Sequence, residues 1–328
     1  MKLITIGGHR KSGTTLLASL LDGHPNLFVY PYDLHWTYSF YPEYIKSKYS
    51  KKEKITQITN IILPDLYQIL EKWVKYDKQT IQNKIKPEIE RRIRNYLQNK
   101  NSTKDYLDAQ IKSVVAVLGK EPNNTIVIKD THCEVYANLL FNFYPDSKFV
   151  NIIRDPRDNF ASILTGWDKH YKNQYDSKER LLRDFIDRGY LCMRMAKDNA
   201  IKFGVGKYIT IRYENLVQYP IQVMAELCQW IGIRESLLNL NPTFCGVEWK
   251  GNSFTKTYKG ISKNRIGIYK EILSKYQRKV IEYYFGDLME SFGYALDYKK
   301  EECVNAIREH YKWLNANGFH SGKPYRKY

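Results

Sequence analysis

Gly7-Gly8-His9-Arg10-Lys11-Ser12-Gly13-Thr14-Thr15-Leu16-Leu17 is the stretch that decides the fold. A short apolar run, Leu3–Ile6, precedes it and reads as a buried strand. Leu16, Leu17, Leu20 and Leu21 follow at helical spacing, and Gly23 is placed to stop that helix. Strand, glycine loop and helix in this order form a natural cradle for an anion. Glycines let consecutive N–H groups turn inward, and the new helix adds its positive end. Lys11, Ser12, Thr14 and Thr15 bring a cation and three hydroxyls to the same place. A plain glycine turn joining strand to helix is the alternative, and context and composition together argue against it.

Three more continuous apolar runs, Thr125–Ile128, Phe149–Ile153 and Tyr208–Ile211, read as strands covered on both faces. Helical stripes separate them. One runs over roughly 177–203, with Leu182, Phe185, Ile186 and Met193 on one side. Another carries Met224, Leu227, Cys228 and Ile231, with Pro220 near its start. The alternation predicts an α/β fold: a P-loop-type central parallel sheet flanked by helices. Residues 1–328 read as one domain, with a helical insertion after the first βα unit at about 36–122. The polar, basic tail at about 318–328 reads as mobile.

Formal net charge is +17, which attracts polyanions from nucleotides to glycans, although solvated lysines such as Lys46, Lys48, Lys51, Lys52 and Lys54 contribute to it. The apolar fraction of 43% suits a globular chain. Five scattered cysteines with no C-x-x-C pair point to neither a disulfide framework nor a zinc site. With no charged leader and no long apolar run, the chain reads as cytoplasmic and without a membrane span. No helix-turn-helix, RNA-binding or zinc pattern accompanies the charge, so no specific nucleic-acid partner is expected.

A second candidate anion site follows the strand Phe149–Ile153. Arg154-Asp155-Pro156-Arg157-Asp158 stands at the strand's C-terminal end, the edge where ligands bind in open α/β sheets. Ser162 lies eight residues after Arg154, about two helical turns on. A salt-bridged turn would account equally well for R-D-P-R-D taken alone. Taken together, the two segments resemble the family of sulfotransferases that use 3′-phosphoadenosine-5′-phosphosulfate (PAPS). That resemblance implies a 5′-phosphosulfate loop of Arg10, Lys11, Ser12, Gly13, Thr14 and Thr15. It implies that Arg154 and Ser162 hold the 3′-phosphate that distinguishes this donor from ATP. Ile211-Arg212-Tyr213-Glu214-Asn215-Leu216 looks like the family stretch whose tyrosine lies near the adenine. Residues 258–269 look like the loop that closes over the nucleotide, with Lys259 and Arg265 as its cations.

The expected reaction is in-line transfer of a sulfuryl group to a hydroxyl, less readily an amine, of a small molecule or glycan, releasing PAP. Gly8-x4-Gly13 has Walker spacing, but Thr14 occupies the usual lysine position, and the lysine has moved to residue 11. The pair that binds β/γ-phosphates and Mg²⁺ is therefore missing, which agrees with chemistry that needs no metal. Lys11 would stabilise the leaving 5′-phosphate. Two groups compete as base. His132, in Ile128-Lys129-Asp130-Thr131-His132, resembles the Lys-Thr-His of cytosolic sulfotransferases, with Asp130 inserted; it precedes Arg154 by the family's 22 residues. Lys129 belongs to the same catalytic group. The tyrosylprotein and glycan branches resemble Leu21-Asp22-Gly23-His24-Pro25 and then carry a catalytic glutamate; here Asp33 is the nearest carboxylate. A P-loop kinase or nucleotide triphosphatase, with Asp130 toward Mg²⁺, and a non-catalytic polyanion binder are the rival readings.

Overall fold

The computed structural model describes residues 1–35, 49–119, 125–235, 240–251, 253 and 260–318. Five parallel strands form one sheet: β1 (Leu3–Gly7), β2 (Leu27–Asp33), β3 (Thr125–Lys129), β4 (Lys148–Ile153) and β5 (Tyr208–Arg212), ordered β2-β3-β1-β4-β5. The chain moves outward from β1 on one side through β3 and β2, and on the other through β4 and β5. The order thus reverses between β1 and β4, the switch point at which open parallel sheets bind ligands. In register, Gly7 of β1 stands beside Asn151 of β4.

The parallel sheet expected from the sequence is present, and its four named runs are strands. One strand was missed: the sequence reading passes directly from the first helix to the insertion, whereas Leu27–Asp33 is β2. Pro31 disguised it. A proline cannot donate to a strand ladder, so it is tolerated at sheet edges and at irregularities. β2 is an edge strand whose register with β3 shifts between Val29 and Asp33, and Pro31 falls in that gap. A two-stranded hairpin, β6 (Thr243–Phe244) and β7 (Val247–Glu248), was also not foreseen.

Contacts divide the chain into two compact units, residues 1–153 with 195–263, and residues 154–194 with 264–318 of the described chain. In the first, α1 (Thr14–Leu21) packs against β1, β2 and β3. From residue 51 onward the described chain after β2 is mainly helical: α2 (Lys51–Gln57), α3 (Leu63–Lys72), α4 (Lys86–Tyr96) and α5 (Thr103–Leu118). Two π-helical turns, Ile58–Ile62 and Ile81–Ile85, lead into α3 and α4. Ile58, Leu66, Ile89, Ile93, Leu107 and Ile111 join Phe28, Tyr30, Ile126 and Ile128 in one apolar core, so these helices share their packing with the sheet. α6 (Ala137–Phe143) follows β3.

The second unit holds α7 (Pro156–Leu164), the N-terminal part of α8 (Lys178–Phe203), and later helices. α9 (Tyr213–Gln218) and α10 (Pro220–Ile231) belong to the first unit; α11 (Lys275–Ser291) and α12 (Lys300–Ala316) belong to the second. Phe185 packs on Phe160 at 5.1 Å and on Phe285 at 5.6 Å between ring centroids, tying α7, α8 and α11 together. Among the described residues no helix is long and apolar enough to cross a membrane.

Candidate functional site

Two glycines set the backbone of the loop. Gly8 lies at φ +145°, and a Cβ there would sit 2.4 Å from the carbonyl oxygen of Ile152. Gly13, at φ +112°, directly precedes α1, and a Cβ would meet the Tyr213 ring at 2.6 Å. Lys11 is also left-handed, at φ +63°. The Ser12 N–H donates to the His9 carbonyl at 3.0 Å and closes the turn. No side chain caps α1, so its first N–H groups are available to an anion. Ser12, Thr14 and Thr15 are buried, and the Ser12 hydroxyl has no hydrogen-bond partner among the described residues. Arg10 and Lys11 are half-buried. A cradle that a Cβ would fill, with a buried unused hydroxyl, suits a phosphate or sulfate group.

The turn after β3 gathers the candidate bases. Lys129 is 1% exposed, and its Nζ lies 2.6 Å from Asp33 Oδ1. The Thr131 hydroxyl donates to the same oxygen at 3.2 Å. Burial pushes the Asp33 carboxyl up, but the charges of Lys129 and His35 and these hydrogen bonds hold it below the usual carboxylate range. The ammonium of Lys129 also lies 5.3 Å from the centre of the Tyr32 ring. Asp130, which interrupts the family pattern, accepts the His35 N–H at 3.2 Å. His132 is half-buried at φ +67°, and its ring meets His9 edge-on at 4.8 Å. Its backbone N–H donates to the Gly8 carbonyl at 3.1 Å, and the Glu134 carboxylate accepts the Gly8 N–H at 2.9 Å.

The second unit brings three further sequence-predicted residues together. Arg154 Nη2 donates to the carbonyl oxygen of Arg265 at 2.6 Å, and Arg265 Nη2 reaches the Ser162 hydroxyl at 3.5 Å. The rest of the R-D-P-R-D motif serves the frame. Arg157 pairs with Asp155 and Glu282, each at 2.7 Å, and lies 4.3 Å over the Tyr269 ring. Asp158 accepts the N–H groups of Gly267 at 2.7 Å and Tyr269 at 2.9 Å, fixing the segment after Arg265. Burial lifts its carboxyl to about 6, against the pull of Arg154 and those N–H groups.

Arg10, Lys11, Ser12, Gly13, Thr14, Thr15, Tyr213, Lys129, Asp33 and His132 therefore lie in the first unit, and Arg154, Ser162 and Arg265 cluster in the second. Lys259 lies outside the described residues. Sequence reasoning missed Glu134 and the pairing of Lys129 with Asp33. A carboxylate two residues past a histidine carries no spacing signal, and the pair joins strands 96 residues apart in the chain.

Known proteins resemble the chain in both sequence and fold. It is 24% identical over 242 residues to protein-tyrosine sulfotransferase 2 of Gallus gallus, covering 71% of this chain and 52% of that protein. The chain spans between 38% and 54% of the length of the curated relatives named protein-tyrosine sulfotransferase that it matches. The sulfotransferase domain from the curacin biosynthetic pathway superposes with a TM-score of 0.60 at 17% identity, covering 90% of this chain and 98% of that one. The domain from the Synechococcus PCC 7002 olefin synthase gives 0.58 at 17% identity, with 90% and 96% covered. These structures share the fold. A model described as the sulfotransferase family matches residues 4–236, from β1 to just beyond α10, and by that match the chain belongs to the sulfotransferase family.

Proposed function

We propose that the protein transfers a sulfuryl group from PAPS to a hydroxyl of a small molecule or glycan. The grouping of Arg154, Arg265 and Ser162 carries this reading. Two guanidinium groups and a hydroxyl suit a phosphate, and a family member with a phosphate site besides its loop takes a bisphosphate rather than ADP. The loop of Arg10 to Thr15, with α1 behind it, is assigned the 5′-phosphosulfate. Tyr213, packed on Gly13, is assigned to the adenine side of that loop.

The acceptor oxygen forms its bond to sulfur while the bond from sulfur to the 5′-phosphate oxygen breaks. The electron pair leaves on PAP, where Lys11 and the loop N–H groups stabilise it. The acceptor proton passes to His132, which we prefer to Asp33 as base. The reason is electrostatic. Asp33 spends its charge on Lys129, and a carboxylate held below its usual range is a weak base. The Lys129–Asp33 pair then orients the turn that carries His132.

The rings of Tyr32 and Trp73 stand edge to face at 5.7 Å, both half-buried, backed by buried Phe244 and Trp249. We assign this wall to the acceptor, because Tyr32 adjoins Lys129. The names of the curated relatives favour a second acceptor reading, a protein tyrosine. Calorimetry with PAP and ADP tests the donor: tighter binding of PAP is expected, and equal affinity overturns the assignment. Incubation with PAPS and a panel of phenols, sugars, alcohols and tyrosine peptides, read by mass spectrometry, identifies the acceptor.

A further inference from the structure

We infer that Glu134 is a positioning residue for the phosphate loop, acting through the peptide groups on either side of Gly8; this rests on the donor assignment above. Glu134 is fully buried, and its Oε2 accepts the Gly8 N–H at 2.9 Å. The Gly8 carbonyl accepts from the His132 N–H at 3.1 Å. One short turn, residues 132–134, thus grips Gly8 by both its donor and its acceptor.

The turn cannot swing away. Asn199 Nδ2 donates to the Glu134 carbonyl at 2.8 Å, and the Asp130 N–H donates to the Ile6 carbonyl at 3.1 Å. Two glycines make room for the grip. A Cβ on Gly7 would lie 3.0 Å from Glu134 Oε2 and 2.7 Å from the Phe149 ring, while the Gly8 site is closed by Ile152. Gly8 therefore takes its unusual φ with its donor already satisfied by a carboxylate, a stronger partner than a neutral acceptor.

Electrostatics alone would disfavour this arrangement, since a carboxylate under an anion-binding loop repels the ligand. Its benefit is geometric: it aims the loop N–H groups and fixes the backbone of His132, the candidate base, in the same grip. An amide oxygen of equal reach should do that as well as a carboxylate oxygen.

PAP calorimetry on folded protein, checked by circular dichroism, tests the inference. Glu134→Gln keeps an acceptor at the same reach and should bind PAP within about threefold of wild type. Glu134→Leu leaves the Gly8 N–H buried and unpaired, and should weaken PAP binding roughly 10- to 100-fold. Should that variant not fold, Glu134→Asp, which keeps the charge but draws the oxygen back by one methylene, should show the same loss. Wild-type affinity in folded Glu134→Leu or Glu134→Asp, with only a lower unfolding midpoint, overturns the inference and leaves the donor assignment standing. So does a loss in Glu134→Gln equal to that in Glu134→Leu. A wild-type protein that does not bind PAP overturns the donor assignment, and the inference with it.

Discussion

The guanidinium of Arg154 is held by the main-chain carbonyl of Arg265 at 2.6 Å, so one arginine's backbone aims the other's side chain. Arg265 in turn points its own guanidinium at Ser162. Removing Arg154 therefore loses a charge and loosens the segment that carries the second cation. Arg154→Ala is expected to weaken PAP binding about 100-fold, in line with loss of a charge-assisted contact, while ADP affinity changes little. Calorimetry with the two nucleotides checks it; a parallel loss for both would show that Arg154 does not read the ribose phosphate.

Asp33 and His132 should fail in different ways. Asp33→Asn leaves the Lys129 ammonium, 1% exposed, without its carboxylate, and stability should fall by roughly 3–5 kcal/mol. His132 is half-buried, so His132→Ala should keep the unfolding free energy within about 1 kcal/mol of wild type while turnover drops about 10²–10⁴-fold. Urea unfolding beside a sulfate-transfer assay separates the two; full turnover in His132→Ala removes the base assignment.

Gly8→Ala should be damaging out of proportion to its size. One methyl must overlap the Ile152 carbonyl oxygen at 2.4 Å and adopt φ +145°. A cost of about 2–5 kcal/mol follows from strain and overlap together, with PAP binding lost even where the variant folds. Gly246→Ala is the control for strain without overlap, since φ there is +77° with no atom within 4 Å of its Cβ site.

His310 on α12 is expected to make the second unit sensitive to acid. It is fully buried, stacked on Trp313, with Tyr276 Oη 3.3 Å from its Nδ1. Burial, reinforced by Arg183, pushes its pKa down to about 4. The unfolded chain then binds the proton more readily, so stability from this residue is present above about pH 6.5 and is lost as pH falls toward 4. Asp158, lifted to about 6, works in the opposite sense: the folded state binds its proton first, and stability rises as pH falls from about 6 toward 4. His310→Phe should therefore lose less stability than wild type between pH 7 and pH 4.5. An unchanged pH dependence in denaturant titrations would refute the assignment.

The local pieces of the candidate site were legible in the chain because each is short. A glycine loop between an apolar run and a leucine stripe, or Arg154 at a strand's end with Ser162 two turns on, can be read within a dozen residues. β2 was not legible, since Pro31 breaks the apolar pattern and only an edge position with shifted register makes it tolerable. The π-helical turns at Ile58–Ile62 and Ile81–Ile85 follow from how isoleucines meet the core, which periodicity does not resolve. Lys129 with Asp33, and Glu134 with Gly8, are juxtapositions made by strand order. No spacing rule encodes them. R-D-P-R-D divides residue by residue: Arg157 and Asp155 form the buried ion pair that the salt-bridged alternative supposed, and Arg154 donates to the Arg265 carbonyl.

β1 is flanked by strands that lie more than a hundred residues downstream, at 125–129 and 148–153. On a ribosome those neighbours emerge on the order of ten seconds after β1 does. Throughout that interval the loop at Gly8 has neither of its anchors, His132 and Glu134, and both sides of β1 are bare to any passing strand. Fragments ending before residue 125 should therefore clump during expression, and a capacity to hold nucleotide should emerge only once translation has passed β4.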